Sequence, residues 1–342
     1  MQQSVLLTGI SGFIAKHIAV RLLADGYAVR GTVRDSGRGD AVRDTLRQAG
    51  ADLAHLELAH ADLERDEGWT EAADGADFVL HTASPLPLEG PHGRLDLVPA
   101  ARGGTLRVLK AVEQTGLKAR RVVVTSSIAA MMYRPDRPRN FTVTENDWTD
   151  ADWQRASPYV LSKTLAERAA WQWAREHGFE QRLVAVNPAF VIGPALDTKA
   201  AASLDVIKRI FAGAYPAVPP LYFPCVDVRD IAAVHVAALT AEGVGGRRLL
   251  GSAETLPLAE VARILKDTFP ERGRRIPTRT IPAPAIRVLA LFKPSLRTVL
   301  PSLHVRPRVD NDYVRELTGV AFRPARESLI DAGRSLIDLG VI

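Results

Sequence analysis

Three groups of residues in this chain have the types and spacing for one kind of chemistry. Tyr159 and Lys163 stand four apart within SPYVLSKTLAERAAW, so on a helix they share a face. A lysine ammonium beside a phenol favours the phenolate and lowers its pKa toward neutral, which makes the tyrosine a usable proton donor to a developing alkoxide. The same ammonium could hydrogen-bond a ribose. Ser157 and Pro158 suit the N-cap and first position of that helix. Thr125-Ser126-Ser127 closes the apolar run Val122–Val124, and a hydroxyl at a strand's carboxyl end can hydrogen-bond and polarise a substrate carbonyl. Taken singly, these features have ordinary readings: Tyr-x-x-x-Lys is a common surface spacing, and a strand-end serine often caps the next segment. Their order on one chain, behind a glycine-rich turn, is far more specific.

That turn is Thr8-Gly9-Ile10-Ser11-Gly12-Phe13-Ile14-Ala15, set between the first apolar run and the first amphipathic stretch. Gly9 can make the tight turn, and Gly12 lets the backbone approach a pyrophosphate. The helix N-terminus beyond them offers unpaired N–H groups and partial positive charge. Ala15 stands where a third glycine would keep helix and strand close. A strand, this turn and a helix at the start of a βαβ chain predict dinucleotide binding. The end of the second apolar run selects the dinucleotide. A carboxylate there holds the ribose 2′-hydroxyl of NAD. Here the run ends at Val33, so Arg34 is at the tip and Arg38 lies one helical turn further on. Two guanidinium groups favour a 2′-phosphate, hence NADP(H). Asp35 is the counter-indication, because a shift of one residue would put an acid at the tip.

The elements that must position these groups follow from the hydrophobic pattern. Apolar runs Val5–Leu7, Ala28–Val33, Leu53–Leu58, Phe78–His81, Val122–Thr125 and Leu183–Val186 alternate with amphipathic stretches Gly12–Ala24, Gly39–Ala49, Asp66–Ala73, Arg94–Thr115 and Pro158–Arg175. Strands alternating with helices predict βαβ units and an α/β fold, a doubly wound parallel sheet of the Rossmann type. The second half is richer in proline, over 188–224 and 270–308, with a helical stretch Val228–Ala241 and a short strand Arg247–Leu250 between. We read residues 1–187 plus 226–250 as the dinucleotide-binding domain, and 188–225 plus 251–342 as a smaller, irregular α/β substrate lobe. The 342 residues are 46% hydrophobic and 24% charged, an ordinary globular composition that excludes disorder. Cys225 is the single cysteine, which excludes an intramolecular disulfide and a cysteine-based zinc site. With no secretory signal and no long apolar run, a cytoplasmic protein is expected. The net charge of +5 is carried by arginines scattered through helices and loops, so neither nucleic acid nor membrane is expected as a partner.

Through these residues the chain resembles the extended short-chain dehydrogenase/reductases, and within them the dihydroflavonol reductase, cinnamoyl-CoA reductase and aldehyde (methylglyoxal-type) reductase group. The resemblance rests on LLTGISGFIAKHIAVRLLADGYAVRGTVRD, VLHTASP, VVVTSSIAA, SPYVLSKTLAERAAW, LVAVNPAFVIGP and VDVRDIAAVHVAAL, and extends to the ending FRPARESLIDAGRSLIDLG. It implies Ser127, Tyr159 and Lys163 as the catalytic trio. It also implies coenzyme contacts from Gly9, Ser11, Gly12, Phe13 and Ile14, from Arg34 and Arg38 on the 2′-phosphate, and from Asp62 and Leu63 near the adenine. Thr82, Ala83, Pro188 and Val191 complete that set. Ala15 departs from the commoner glycine, and no asparagine is assigned a catalytic role.

The remaining candidates are weaker. His81 ends an apolar run and reads as a packed, hydrogen-bonded histidine. His55, His60 and Asp62 lack any metal-ligand spacing, so no metal is expected. No Gly-x-Ser-x-Gly elbow is present, against an α/β-hydrolase. Trp171 and Trp173 read as packing residues. Met131, with Met132 and Tyr133, could line an apolar substrate wall, joined by Leu86, Val160, Phe190 and Tyr215. The expectation is an NADPH-dependent reductase of a small-molecule aldehyde or ketone, a monomer or homodimer. The alternatives are an NAD-dependent sugar-nucleotide epimerase or dehydratase, and a non-catalytic NADP-sensing protein.

Overall fold

Residues Ser4–Thr8 form β1, and its apolar side chains divide by strand period: Val5 and Leu7 enter one core, Leu6 the core on the opposite face. A strand buried on both faces needs helices on both sides, and the rest of the chain supplies them. In this computed structural model, residues 2–85, 93–199, 201–214, 217–292 and 294–342 are described. After β1 come α1 (Phe13–Ala24), β2 (Ala28–Val33), α2 (Ser36–Gln48), β3 (Leu56–His60), α3 (Trp69–Ala73), β4 (Phe78–His81), α4 (Val98–Gln114) and β5 (Arg121–Thr125). Then follow α5 (Ala129–Met132), β6 (Asn140–Val143), α6 (Pro158–Glu176), β7 (Leu183–Pro188), β8 (Phe190–Ile192), α7 (Ala202–Phe211), β9 (Tyr222–Asp227) and α8 (Val228–Thr240). The chain ends through β10 (Arg248–Gly251), β11 (Glu254–Pro257), α9 (Leu258–Thr268), α10 (Ala283–Phe292), β12 (Arg306–Val309), α11 (Asp312–Thr318) and α12 (Ala325–Asp338).

The main sheet has seven parallel strands in the order β10-β7-β5-β4-β1-β2-β3. This is the doubly wound Rossmann arrangement expected from the sequence. The strand order reverses between β1 and β4, and such a reversal opens a crevice at the carboxyl ends of the strands. A second, three-stranded sheet β11-β9-β8 and a pair β12-β6 stand outside it. The three-stranded sheet adjoins a separate core, built on Leu204, Ile207, Leu258, Leu265 and Leu329, whereas the β12-β6 pair packs on the main core through Phe141, Val143 and Val309. The strand β9 runs across the 225/226 division drawn from the sequence, and β10 returns to the main sheet beside β7. Among the described residues, no helix is long and apolar enough to cross a membrane.

Several boundaries moved for local reasons. Leu53 is not in a strand, because the Leu56 N–H closes a turn onto the Leu53 carbonyl at 3.0 Å, so β3 starts at Leu56. The second helix opens at Ser36 rather than Gly39, since the Asp35 side chain caps it by accepting the Arg38 N–H. Gly68, at φ +82°, turns the chain so that α3 starts at Trp69 and not Asp66. Helix α4 starts at Val98, with Pro99 in its first turn, instead of Arg94.

Candidate active site

The crevice between β1 and β4 is stitched by one threonine. The Thr8 hydroxyl oxygen accepts the N–H groups of Thr82 and Ala83, both at 3.1 Å, and lies 2.8 Å from Nδ1 of His81. Both Thr8 lone pairs are then taken, so its proton goes to Nδ1. His81 therefore carries its own proton on Nε2, which donates to the Thr105 hydroxyl at 3.3 Å. Burial pushes the His81 pKa down to about 3, and the ring is a neutral, fully bonded core group, as the sequence suggested. Thr82 fastens the edge further by donating to the Thr8 carbonyl at 2.6 Å.

Gly9 sits at φ +67°, and a Cβ there would lie 2.9 Å from the Ala83 Cα. The turn thus needs a glycine on both counts. Gly12 caps α1 without any side-chain hydrogen bond, so the N–H groups of Phe13 and Ile14 in the first turn face the crevice without a capping side chain. These features fit a pyrophosphate: backbone donors, a helix dipole and a turn with no side chain in the way. Arg34 follows the last residue of β2 and is exposed; Arg38 pairs with Asp35 at 2.9 Å. Asp35 spends its carboxylate on the α2 cap and on Arg38, which removes it as a holder of a ribose hydroxyl.

At the other side of the crevice, the Ser157 hydroxyl caps α6 by accepting the Val160 N–H at 3.3 Å. The helix then presents Tyr159, Lys163 and Glu167 one above another, four residues apart. The Tyr159 hydroxyl lies beside Ser127, just past β5, close enough for that neighbour to lower its pKa. Ser127 Oγ also accepts the Ala129 N–H at 3.1 Å. The Lys163 ammonium donates to the Thr125 carbonyl at 3.4 Å. So the strand-end serine and the helix pair, 30 and more residues apart in sequence, converge at one point. The electrostatics differ from the expectation drawn from spacing. Tyr159 is 44% exposed, but burial around its hydroxyl raises its pKa, and neighbouring Ser127 opposes that rise. Burial also brings Lys163 down to about 8, with Glu167 acting in the opposite sense. Desolvation is the largest effect on both groups because they stand against the packed sheet edge.

Sequence reasoning missed the groups that hold this constellation. Glu167 is 2% exposed. It accepts from Ser126 Oγ at 2.5 Å, Asn187 Nδ2 at 2.9 Å and Trp171 Nε1 at 3.2 Å. Arg248 grips it with both edges, Nε at 2.6 Å and Nη2 at 3.1 Å. Asn187 also donates to the Ser127 carbonyl at 3.2 Å. Buried His235 receives the Thr125 hydroxyl at Nε2, 2.8 Å away, while its Nδ1 donates to the Ile231 carbonyl. The four-residue step from Lys163 to Glu167 was the available signal; Asn187, Arg248 and His235 come from distant strands and a helix and left none.

The other candidates separate. Asp62 and Leu63 follow β3; the Asp62 side chain accepts the Glu64 N–H, and Leu63 lies against Gly104. Pro188 ends β7 and accepts the Ile128 N–H at 3.0 Å; Val191 lies in β8. Ser11 is partly exposed in the turn. Phe190 stacks on Phe223 at 5.1 Å. Met131 is not a pocket wall: it is fully buried in the main core, because α5 turns that side chain inward. Val160 likewise packs with Ala129, Ala156 and Leu161. Tyr133, in contrast, stands close enough to Tyr159 to feel it, stacks on Trp153 at 6.3 Å and lies beside Ser302. Leu86 and Tyr215 lie outside the described residues. Among the described residues, no group of three or more His, Cys, Asp and Glu side chains could hold a metal ion.

A parallel doubly wound sheet with a phosphate turn after β1 and a Ser-Tyr-Lys group at its carboxyl edge defines an extended short-chain dehydrogenase/reductase. Residues 5–250 match the NAD dependent epimerase/dehydratase family, and the chain belongs to it. It is 34% identical over 340 residues to cinnamoyl-CoA reductase 1 of Arabidopsis thaliana, covering 99% of this chain and 90% of that protein. It is 28% identical over 353 residues to a putative NADPH-dependent methylglyoxal reductase of Candida albicans, covering 98% of each. The crystal structure of yeast methylglyoxal/isovaleraldehyde reductase Gre2 complexed with NADPH superposes with a TM-score of 0.82 at 26% identity, over 99% of this chain and 100% of that one.

Proposed function

We propose that this protein reduces an aldehyde or ketone to the alcohol, with NADPH as coenzyme and Tyr159 as proton donor. It is an oxidoreductase acting on carbonyl groups, in keeping with its relatives. The observation that carries the reading is the approach of the Tyr159 hydroxyl to Ser127, with Lys163 one helical turn behind. Two hydroxyls that meet at the crevice can both reach one carbonyl oxygen. Ser127 then orients and polarises it while Tyr159 delivers the proton as negative charge develops. Lys163 holds positive charge against the phenol and can hydrogen-bond the ribose. The dinucleotide, when bound, supplies the hydride from nicotinamide C4. Gly9, Ser11, Gly12 and the first turn of α1 hold its pyrophosphate, Thr82 and Ala83 border it, and Arg34 takes the 2′-phosphate, with Arg38 recruited from Asp35.

The test is NADPH consumption, read by absorbance, against a graded panel of aldehydes, diketones, dihydroflavonols and steroid ketones. Turnover with a subset of the panel is expected. Tight NADPH binding without turnover of any carbonyl would instead support a coenzyme-sensing protein, and NAD retained through purification would support an epimerase or dehydratase.

A further inference from the structure

Helix α10 has an apolar face that no described residue covers. Its buried residues, Ala283, Ile286 and Ala290, repeat at helical spacing and form the inner face. On the opposite side, Val288 is 57% exposed, Leu291 69% and Phe292 78%, with Leu289 at 40% on the flank. No charged or hydrogen-bonding side chain interrupts that outer face; Arg287 lies at its border. A helix that is apolar on both faces is normally covered on both.

The charge around it is equally uneven. Residues 272–309 hold eight arginines, one lysine and no acidic residue, while the rest of the chain holds 35 basic against 39 acidic residues. The whole positive excess of the protein therefore sits in this segment, which corrects the impression of dispersed cations. Arg274, Arg275, Arg279, Arg287, Arg306 and Arg308 are exposed, and none is in an ion pair among the described residues. Exposed arginines elsewhere are mixed, Arg21, Arg47 and Arg263 pairing with a carboxylate within one helical turn and Arg65, Arg102 and Arg175 outside any ion pair among the described residues, so what sets 272–309 apart is the absence of acidic residues.

We infer that α10 and its flanking arginines form a docking surface for an anionic lipid bilayer, with the helix lying in the interface and its outer face among the acyl chains. An apolar face alone would fit another protein, and cations alone would fit nucleic acid. The combination of a large exposed aliphatic and aromatic face with unpaired arginines matches a surface that is both apolar and negative. The position gives it a use. The turn 294–302 that follows α10 places Ser302 beside Tyr133, which in turn lies near Tyr159. Docking through α10 would therefore bring the catalytic crevice near the lipid, where apolar carbonyl compounds partition. The binding claim itself does not depend on the proposed reaction.

The experiment is co-sedimentation of the full chain with phosphatidylcholine vesicles, with and without phosphatidylglycerol. Expected is at least about tenfold stronger partitioning onto the anionic vesicles at low salt, lost as salt shortens the Debye length from about 10 Å at 0.1 M to about 3 Å at 1 M. The double variant Leu291→Glu, Phe292→Glu should abolish sedimentation. Both side chains are exposed, so its unfolding midpoint should stay at the parental value. Triple replacement of Arg274, Arg275 and Arg279 by Gln should weaken binding to anionic vesicles only. No sedimentation with anionic vesicles, or equal sedimentation of the Leu291→Glu, Phe292→Glu variant, would overturn the inference. So would light scattering that finds a dimer split by that variant in a protein indifferent to vesicles, or binding to RNA but not to lipid.

Discussion

Replacing Glu167 by Gln tests how the structure keeps Lys163 charged. The change preserves shape but removes the carboxylate that Arg248 grips at 2.6 Å and 3.1 Å and that faces Lys163 one turn away on α6. Two consequences are separable. First, Arg248 is left as a buried cation without its partner, a loss of about 3–5 kcal/mol by comparison with other broken buried pairs. Second, Lys163 loses its nearest negative neighbour. At a separation of about 6 Å and an effective dielectric near 20, the lost attraction is roughly 2.8 kcal/mol, or about two pH units before solvent relaxation reduces it. Burial already holds Lys163 near 8, so the variant lysine loses its proton at lower pH. The other groups facing it are neutral His81 and the Tyr159 phenol, and neither restores the charge. The assay is a pH profile of kcat for NADPH oxidation beside a denaturant titration. The basic limb should move down by roughly one to two pH units, and the unfolding free energy should fall by about 3–5 kcal/mol. The double variant Glu167→Gln, Arg248→Met should regain stability but keep the displaced limb. A limb unchanged in Glu167→Gln, with stability lowered, would make Glu167 a purely structural residue and refute the reasoning.

Further outcomes follow from the same geometry. Arg34→Ala should weaken NADPH by about 10- to 100-fold, the worth of one charge-assisted contact, and leave NADH nearly unchanged; equal weakening of both coenzymes would remove Arg34 from the 2′-phosphate. Gly9→Ala puts a methyl 2.9 Å from the Ala83 backbone at φ +67°, so coenzyme affinity and stability should both drop, the latter by at least about 1–2 kcal/mol; normal binding by isothermal titration would contradict the tight-turn argument. His17, His81 and His235 are held neutral at pKa values of about 4, 3 and 4, below the usual 6.5. The unfolded chain therefore takes up their protons first as pH falls below 6.5. Stability should decline by about 1.4 kcal/mol per pH unit for each histidine between pH 6.5 and about 4, which urea titrations at pH 7 and pH 5 would reveal as a lower midpoint at pH 5.

The parts of this site that are local in sequence were legible in it. The turn from Thr8 to Ala15, the Tyr159–Lys163 step and the strand-end Ser127 each sit within one element and its cap. The period of the hydrophobic runs sufficed to predict a doubly wound parallel sheet, though not its strand order. Boundaries failed where a single side chain or glycine decided them, as at Asp35 and Gly68. What stayed hidden is the packing between elements. Nothing near Arg248 in the chain signals that it crosses to Glu167, 81 residues away, or that His235 braces Thr125 from α8. Met131 was misplaced for a related reason: an apolar residue after a catalytic serine can face either the crevice or the core. Only the turn of α5 settles it.

The most direct measurement is the single-turnover rate of Tyr159→Phe with saturating NADPH, beside its NADPH dissociation constant. Loss of a positioned proton donor should slow hydride transfer by about 10²- to 10⁴-fold, with coenzyme affinity within a few-fold of the parent. A variant that oxidises NADPH at the parental rate would show that the phenol does not serve the carbonyl, and the mechanism proposed for this site would be wrong.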